Sequence, residues 1–257
     1  MLNLGCGGRY HRDWVNLDCA PQSRDVIRHD LRERLPFPDE HFEVVYHSHV
    51  LEHVARHFAP QLLEECRRVL RPAGILRVVV PDLEKIARLY LKYLEASLAG
   101  EPGASERYDW ITLELMDQMV RERSGGEMAA YWKQNPMPAE DFVIERFGQE
   151  VRQALADLRT ETEQRKSQSP RANLPAPSCK EIGRFRESGE VHKWMYDRYS
   201  LGNILEKTGF KDVRVCAAHE SGIADFGRFG LDLSDDGSPR KPDSLFMEAR
   251  KPEGQQR

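Results

Sequence analysis

The sequence lacks several of the signals that would mark a destination or a chemistry. Its cysteines, Cys6, Cys19, Cys66, Cys179 and Cys216, are odd in number and scattered, and no CxxC pair occurs. That excludes a disulfide framework or a cysteine-rich zinc site as the organising feature. No apolar run approaches the roughly 20 residues of a bilayer span. The N-terminus also lacks the basic, apolar and small-residue order of a signal peptide. Integral membrane contact is therefore not expected, and a cytoplasmic location is. There is no excess of positive charge either: 38 Lys and Arg stand against 42 Asp and Glu, a formal net charge of -4. Nothing in that balance asks for nucleic acid as a partner.

What is present is a chain of 257 residues with 40% hydrophobic and 31% charged content, the composition of a globular protein. Its length fits one large domain, or one domain carrying an insertion. The first 90 residues mix strand and helix signals. Leu2 to Leu4, Trp14 to Leu17 and Asp25 to His29 are short strands, and FEVVY at 42–46 is a stronger one. Leu62, Leu63, Cys66, Val69 and Leu70 recur at helical spacing and are followed by Pro72 and Gly74. ILRVVV at 75–80 is a fifth strand. Strands interleaved with helices predict an α/β fold, a doubly wound and mostly parallel sheet.

The next hundred residues are mainly helical. Ile86, Leu89, Tyr90, Tyr93 and Leu94 make one amphipathic face, and Ile111, Leu115 and Met119 another. A third helical stretch runs from Phe142 to Leu158, followed by a polar, proline-containing linker near 160–178. Strand signals return at 213–217 and 244–250, after a helix at 200–210 with Ser200 as the expected cap. The expected organisation is a core of 1–84 and 192–251, interrupted by a helical insertion at 85–191.

LNLGCGG, residues 2–8, places three glycines directly after the first strand. Glycine costs backbone entropy, so a ligand that approaches the backbone is expected there. The dinucleotide fingerprint G-x-G-x-x-G fails at its third position, where Tyr10 stands, and no GK[ST] follows for a P-loop. In parallel sheets ligands bind outside the carboxyl ends of the strands. Gly5 to Gly8, Asp18, Asp30 and His47 to His49 lie at those ends.

LNLGCGG, WVNLD, HDLRERLPFPDEHFEVVYHSHVLEHV and LEECRRVLRPAGILRVVVPDLE, in that order, resemble the class I S-adenosylmethionine-dependent methyltransferases. The likeness is to the type-11 group, with bacterial members found among genes for surface polysaccharides. It covers residues 1–84 well, and 192–250 in part through HKWMYDRYSLGNILEKTGFKDVRV. The resemblance implies a Rossmann-like seven-stranded sheet whose last strand is antiparallel. It implies S-adenosylmethionine as cofactor and a methyl acceptor that is a sugar hydroxyl of a glycan precursor, with a small metabolite as the alternative.

It also implies residue roles. Gly5, Cys6 and Gly7 match the loop at the cofactor's amino acid end. Asp18 matches the acidic residue on the ribose hydroxyls, and an ionised carboxylate is suited to accept from both. Asp30 and Leu31 match the positions beside the adenine, and His47 and Ser48 those beside the methionine. His192, His49 and Tyr196 are the candidates for a base acting on an acceptor hydroxyl. One departure stands out: Asp18 follows Gly5 by only 13 positions, so the first helix is expected to be very short or absent. With the first strand read at residues 2–4 and no leading helix before it, the pocket is expected to be less covered, and the insertion is expected to supply a lid.

HVLEH at 49–53 also matches the H-x-x-E-H pattern of a zinc hydrolase class, which would need His49 and His53 on one face of a helix. Structural hydrogen bonds from Glu52 and His53 are the plainer expectation, and no metal is expected. A protein that binds the cofactor without turnover is a further alternative.

Overall fold

The computed structural model describes residues 1–148, 151–152, 154–156 and 177–254. The chain divides into two compact units. The first comprises residues 1–84, 193–239 and 244–257, and the second residues 85–192 and 240–243.

The first unit is built on one seven-stranded sheet: β1 (Leu2–Leu4), β2 (Val15–Asp18), β3 (Val26–Arg28), β4 (Phe42–Ser48), β5 (Leu70–Pro81), β6 (Lys211–Cys216) and β7 (Ser244–Arg250). Their spatial order is β3-β2-β1-β4-β5-β7-β6. The strands β1 to β5 run parallel, and β7 lies antiparallel between β5 and the edge strand β6. The expected Rossmann-like sheet is therefore present, and the antiparallel strand is last in sequence but one place in from the edge.

Only one of the early crossovers contains an α-helix. The connections β1–β2, β2–β3 and β3–β4 are turns and loops, while α1 (Ala59–Val69) joins β4 to β5. These connections are 10, 7 and 13 residues of turn-rich chain: the first helix, expected to be very short or absent, is absent, and the interleaving of helix with strand begins with α1. The strand after α1 starts at Leu70, earlier than Ile75, since Leu70 already pairs with Phe42 before the register shifts to Val44 and Ile75.

Each sheet face then needs a different cover. On one face, Leu4, Val45, Leu76, Val78 and Val80 pack under α1 and α7 (Arg198–Lys207) through Leu63, Cys66, Leu201 and Leu205. Asp197 caps α7, its carboxylate accepting from the N–H groups of Tyr199 and Ser200 at 2.9 and 2.8 Å. Ser200, expected as that cap, is instead the return member of a capping box.

On the other face, loop 217–231 takes the place of helices. Phe226, Phe229 and Ile223 cover Val44, Tyr46, Ile75 and Val79. Trp14 stands edge-on to Phe229 at 5.2 Å and to Tyr46 at 6.1 Å. Under this cover lies a buried ionic network. Arg77 Nε donates to Asp232 at 2.7 Å, and its Nη1 to Glu248 at 2.9 Å. The Tyr46 hydroxyl donates to Asp232 at 2.6 Å, while Arg214, Ser221 and the Gly222 N–H donate to Glu248.

The second unit carries most of α2 (Leu83–Leu98) together with α3 (Ala104–Val120), α4 (Gly126–Trp132), α5 (Glu140–Phe147) and α6 (Cys179–Arg186). Trp110, wholly buried, meets Tyr131 at 5.1 Å and Phe147 at 5.5 Å. Glu114 and Arg146 form a buried pair beneath them, Arg146 Nε donating at 3.1 Å. Ser178, followed three residues later by Glu181, starts α6 with a second capping box. Much of the Phe142–Leu158 stretch beyond α5, and nearly all of the expected linker, lie outside the described residues. Among the described residues no helix is long and apolar enough to cross a membrane.

Candidate functional site

The parallel strands of the first unit end at one edge, and their terminal residues collect there. Leu4 pairs with both Leu17 and His47, and Asp18 pairs with Arg28, so the ends of β1, β2, β3 and β4 are level. The strand order turns between β1 and β4, the switch point at which ligands bind in open α/β sheets.

The glycine loop follows β1. Gly5 and Gly7 both have left-handed backbones, with φ of 59° and 52°. At Gly5 an added Cβ would overlap Val50 Cγ2, whereas at Gly7 it would meet nothing within 4 Å. Glycine at the first position thus lets the loop pass the turn after β4, and at the second it leaves bare backbone facing open space. Between them Cys6 is buried and donates its N–H to the Leu17 carbonyl at 3.1 Å. Burial, reinforced by the Asp18 charge, pushes its thiol up to about 11. Cys6 is a protonated packing residue at neutral pH, not a nucleophile.

Asp18 ends β2 and ties the loop down. One carboxylate oxygen accepts from the Gly7 N–H and the other from the Ala20 N–H, both at 2.8 Å. A carboxylate offers about four lone-pair sites, so both oxygens keep capacity for further donors such as paired hydroxyls. Asp30 and Leu31 lie two and three residues beyond β3. Asp30 is gripped by Arg32, whose Nε and Nη2 donate at 3.0 and 2.6 Å. Those bonds hold its carboxyl below the usual range.

His47 and Ser48 are the last residues of β4 itself, not the first residues after it. Strand β4 runs two residues longer than FEVVY because both continue the ladder against Val78 and Val79. The His47 side chain is wholly buried, and neither ring nitrogen has a hydrogen-bond partner among the described residues. Burial, partly opposed by Glu52, drives its pKa down to about 4, so the ring is neutral at pH 7.

His49 then takes a left-handed conformation, φ 54°, unusual for a residue with a side chain. Its Nδ1 lies 3.2 Å from Glu52 Oε1 and its Nε2 2.9 Å from Ser244 Oγ. Residues Leu51–His53 form only one 3-10 turn. The helix that the zinc reading requires is not there, and His49 precedes the turn. Tyr196 belongs to the same edge: it bridges to Asp82 just past β5, and its carbonyl accepts from the Leu83 N–H at 3.0 Å. Its phenol is buried, has no hydrogen-bond partner among the described residues, and is raised to about 12 by burial and then by Glu52.

His192 falls in the second unit, buried, with its N–H donated to the Gln118 carbonyl at 2.9 Å. The first unit thus gathers every other residue expected at the site. Ser244 was not among the expected site residues, and Glu52 was expected there only for structural hydrogen bonds or in the zinc reading. Glu52 carried a signal, since it sits inside HVLEH; Ser244 carried none, being 195 residues from the histidine it meets.

These features leave room and hydrogen-bonding capacity for the S-adenosylmethionine that the resemblance implies. The fit rests on the open space at Gly7, the spare acceptor capacity of Asp18 and the unpartnered nitrogens of His47.

Comparison with known proteins agrees with that fit. Residues 2–78 match a family model described as a methyltransferase domain. A Mycolicibacterium smegmatis protein, named as a probable S-adenosylmethionine-dependent methyltransferase, is 33% identical over 99 residues. That stretch covers 32% of this chain, and the chain spans only 38% of that relative's length. Among solved structures, an S-adenosylmethionine-dependent methyltransferase from Archaeoglobus fulgidus superposes with a TM-score of 0.40 at 12% identity, over 97% of this chain and 85% of that one. A Pyrococcus horikoshii protein gives 0.29 at 24% identity, over 34% of this chain and 52% of that one. Residues 2–78, which hold β1 to β4, the glycine loop and Asp18, are thus the part of the chain similar to a methyltransferase domain.

Proposed function

We propose that the protein transfers the methyl group of S-adenosylmethionine to a hydroxyl of a sugar, free or in a glycan precursor. The observation that carries the reading is the Gly5–Gly7 loop clasped by Asp18 at the switch point, within the segment that matches a methyltransferase domain. The sugar acceptor comes from the resemblance to the surface-polysaccharide group.

The bound cofactor supplies a methyl on a cationic sulfonium, which is electrophilic without further activation. This chain's residues bind and orient. Gly5, Cys6 and Gly7 would lie along the amino acid end, and Asp18 would accept from the ribose hydroxyls. Asp30 and Leu31 would flank the adenine, Asp30 sharing its carboxylate with Arg32. His47 and Ser48 would border the methionine, the neutral His47 ring offering one donor and one acceptor. Most of the rate gain then comes from alignment and exclusion of water.

Incubation with methyl-labelled S-adenosylmethionine and a panel of methyl glycosides, nucleotide sugars and small metabolites tests the reading. Label entering the sugars is expected. Label confined to the small metabolites would overturn the acceptor, and label in neither would favour a binding protein.

A further inference from the structure

His49 is engaged from two sides in a way that cofactor binding does not require. Nδ1 faces the Glu52 carboxylate at 3.2 Å and Nε2 faces the Ser244 hydroxyl at 2.9 Å. The Glu52 side chain is fully buried, while that of His49 retains 15% exposure. The Glu52 carboxylate, within ion-pair distance of Nδ1 but outside hydrogen-bond geometry, favours the ring proton on that nitrogen. The Nε2 lone pair is then an acceptor, and the group that donates to it is the hydroxyl of Ser244. An alcohol O–H on the free lone pair of a carboxylate-backed imidazole is the contact that a base makes with the hydroxyl it deprotonates.

The backbone is committed to this arrangement. A left-handed non-glycine residue costs of order 1–3 kcal/mol and persists only where its surroundings over-determine it. Here the His49 N–H is donated to the Val79 carbonyl at 2.9 Å, continuing the β4–β5 ladder past the strand end. Ser244 is the first residue of antiparallel β7, opposite Pro81 at the end of β5, so it lies at the same sheet edge as His49. The alternatives in this unit are poorer bases. His47 is wholly buried, and the Tyr196 phenol is held protonated.

We infer that His49 is the general base of this site, that Glu52 is the residue positioning it, and that the Ser244 hydroxyl marks the place of the acceptor hydroxyl. The methylated atom is then an oxygen. The inference rests on the methyl-transfer reading. In the step, the acceptor oxygen forms the new bond to carbon and its proton passes to Nε2. The pair of the broken carbon–sulfur bond stays on sulfur, and the imidazolium faces Glu52.

The test is long-range proton–nitrogen NMR of the histidine rings in the uniformly 15N-labelled full chain near neutral pH. His49 is expected to carry a ring proton on Nδ1, with Nε2 as the acceptor. In Ser244→Ala the tautomer should persist while the Nε2 resonance moves downfield, and Ser244→Thr should restore it. Glu52→Gln should erase the tautomer preference. A proton on Nε2 in the wild-type protein, or an Nε2 resonance indifferent to Ser244→Ala, would overturn the inference, and the Ser244 variants decide it even if Glu52→Gln does not fold. S-adenosylhomocysteine is then added to the same sample. Expected tautomer without any response to that ligand would sink the methyl-transfer reading and leave the dyad as structure; a response with the wrong tautomer would sink the base assignment alone.

Discussion

The Gly7 N–H donates to Asp18 Oδ2 at 2.8 Å, across the gap between the ends of β1 and β2. One carboxylate therefore shapes the glycine loop and also faces the space the loop borders. In Asp18→Ala both the tether and the acceptor for ribose hydroxyls are lost. Hydrogen bonds to a charged group are worth about 1.5–3 kcal/mol, so affinity for S-adenosylhomocysteine should fall about ten- to hundredfold by calorimetry. Unchanged affinity would remove Asp18 from the site.

The two glycines should separate stability from binding. Gly5→Ala adds a methyl that overlaps Val50 at a left-handed φ. Backbone strain of about 1–2 kcal/mol and overpacking of about 1–3 kcal/mol should make it the more destabilised variant. Gly7→Ala meets open space, so only the strain applies, and a folded protein with weakened ligand binding is expected. Thermal melts with and without S-adenosylhomocysteine measure both; a Gly7→Ala protein that binds normally would contradict the placement of ligand over the loop.

His47 is a buried imidazole with no hydrogen-bond partner on either nitrogen among the described residues. Replacing such a group by an apolar one of similar size is close to neutral or stabilising. In His47→Leu the ligand-free melting temperature should hold or rise while affinity for S-adenosylhomocysteine drops. A stable variant that binds as tightly as wild type would show that the ring serves packing alone.

The ionic network on the other face predicts a stability phenotype. In Arg77→Met, Asp232 and Glu248 lose their shared partner inside the core. Breaking a buried pair from one side costs about 3–5 kcal/mol. At about 2–4 °C per kcal/mol for a chain of this size, the melting temperature should fall by about 6–20 °C. A drop of only one or two degrees would mean that the network is solvated.

Glu248 makes that network pH-dependent. Burial by itself raises its pKa, but Ser221, the Gly222 N–H, Arg214 and Arg77 outweigh burial, and the net shift is downward. A carboxyl whose folded pKa is lowered contributes stability above its unfolded value, and this is lost as pH falls through the folded one. The urea midpoint of the wild-type protein should therefore decline below about pH 4.5, where unfolded glutamates begin to take up protons. Glu248→Gln should be weaker at pH 7 and show a flatter decline.

Much of this was legible in sequence because it is local. Leu2–Leu4 and Ser244–Arg250 were found at their observed bounds, since each is a short apolar run closed by glycine or charge. The glycine loop and Asp18 declared themselves by type and position. What stayed hidden depends on distant partners. Arg77 sits inside ILRVVV like an outward-facing residue, and its anions come from 155 and 171 residues away. The aromatic cover from Phe226 and Phe229 could not be inferred from a loop of turn-forming residues. Asp197 outcompeted Ser200 as a cap because its carboxylate reaches two N–H groups at once. The left-handed backbone at His49, which aims its ring between Glu52 and Ser244, has no signature in HSHVLEH.

The most direct test of the whole account is calorimetric titration of the purified, metal-stripped protein with S-adenosylhomocysteine, with NAD as the control. The account predicts binding at micromolar affinity or tighter for the first and none for the second. No heat with S-adenosylhomocysteine, or equal binding of NAD, would contradict the assignment of the Gly5–Gly7 loop and Asp18 to this cofactor.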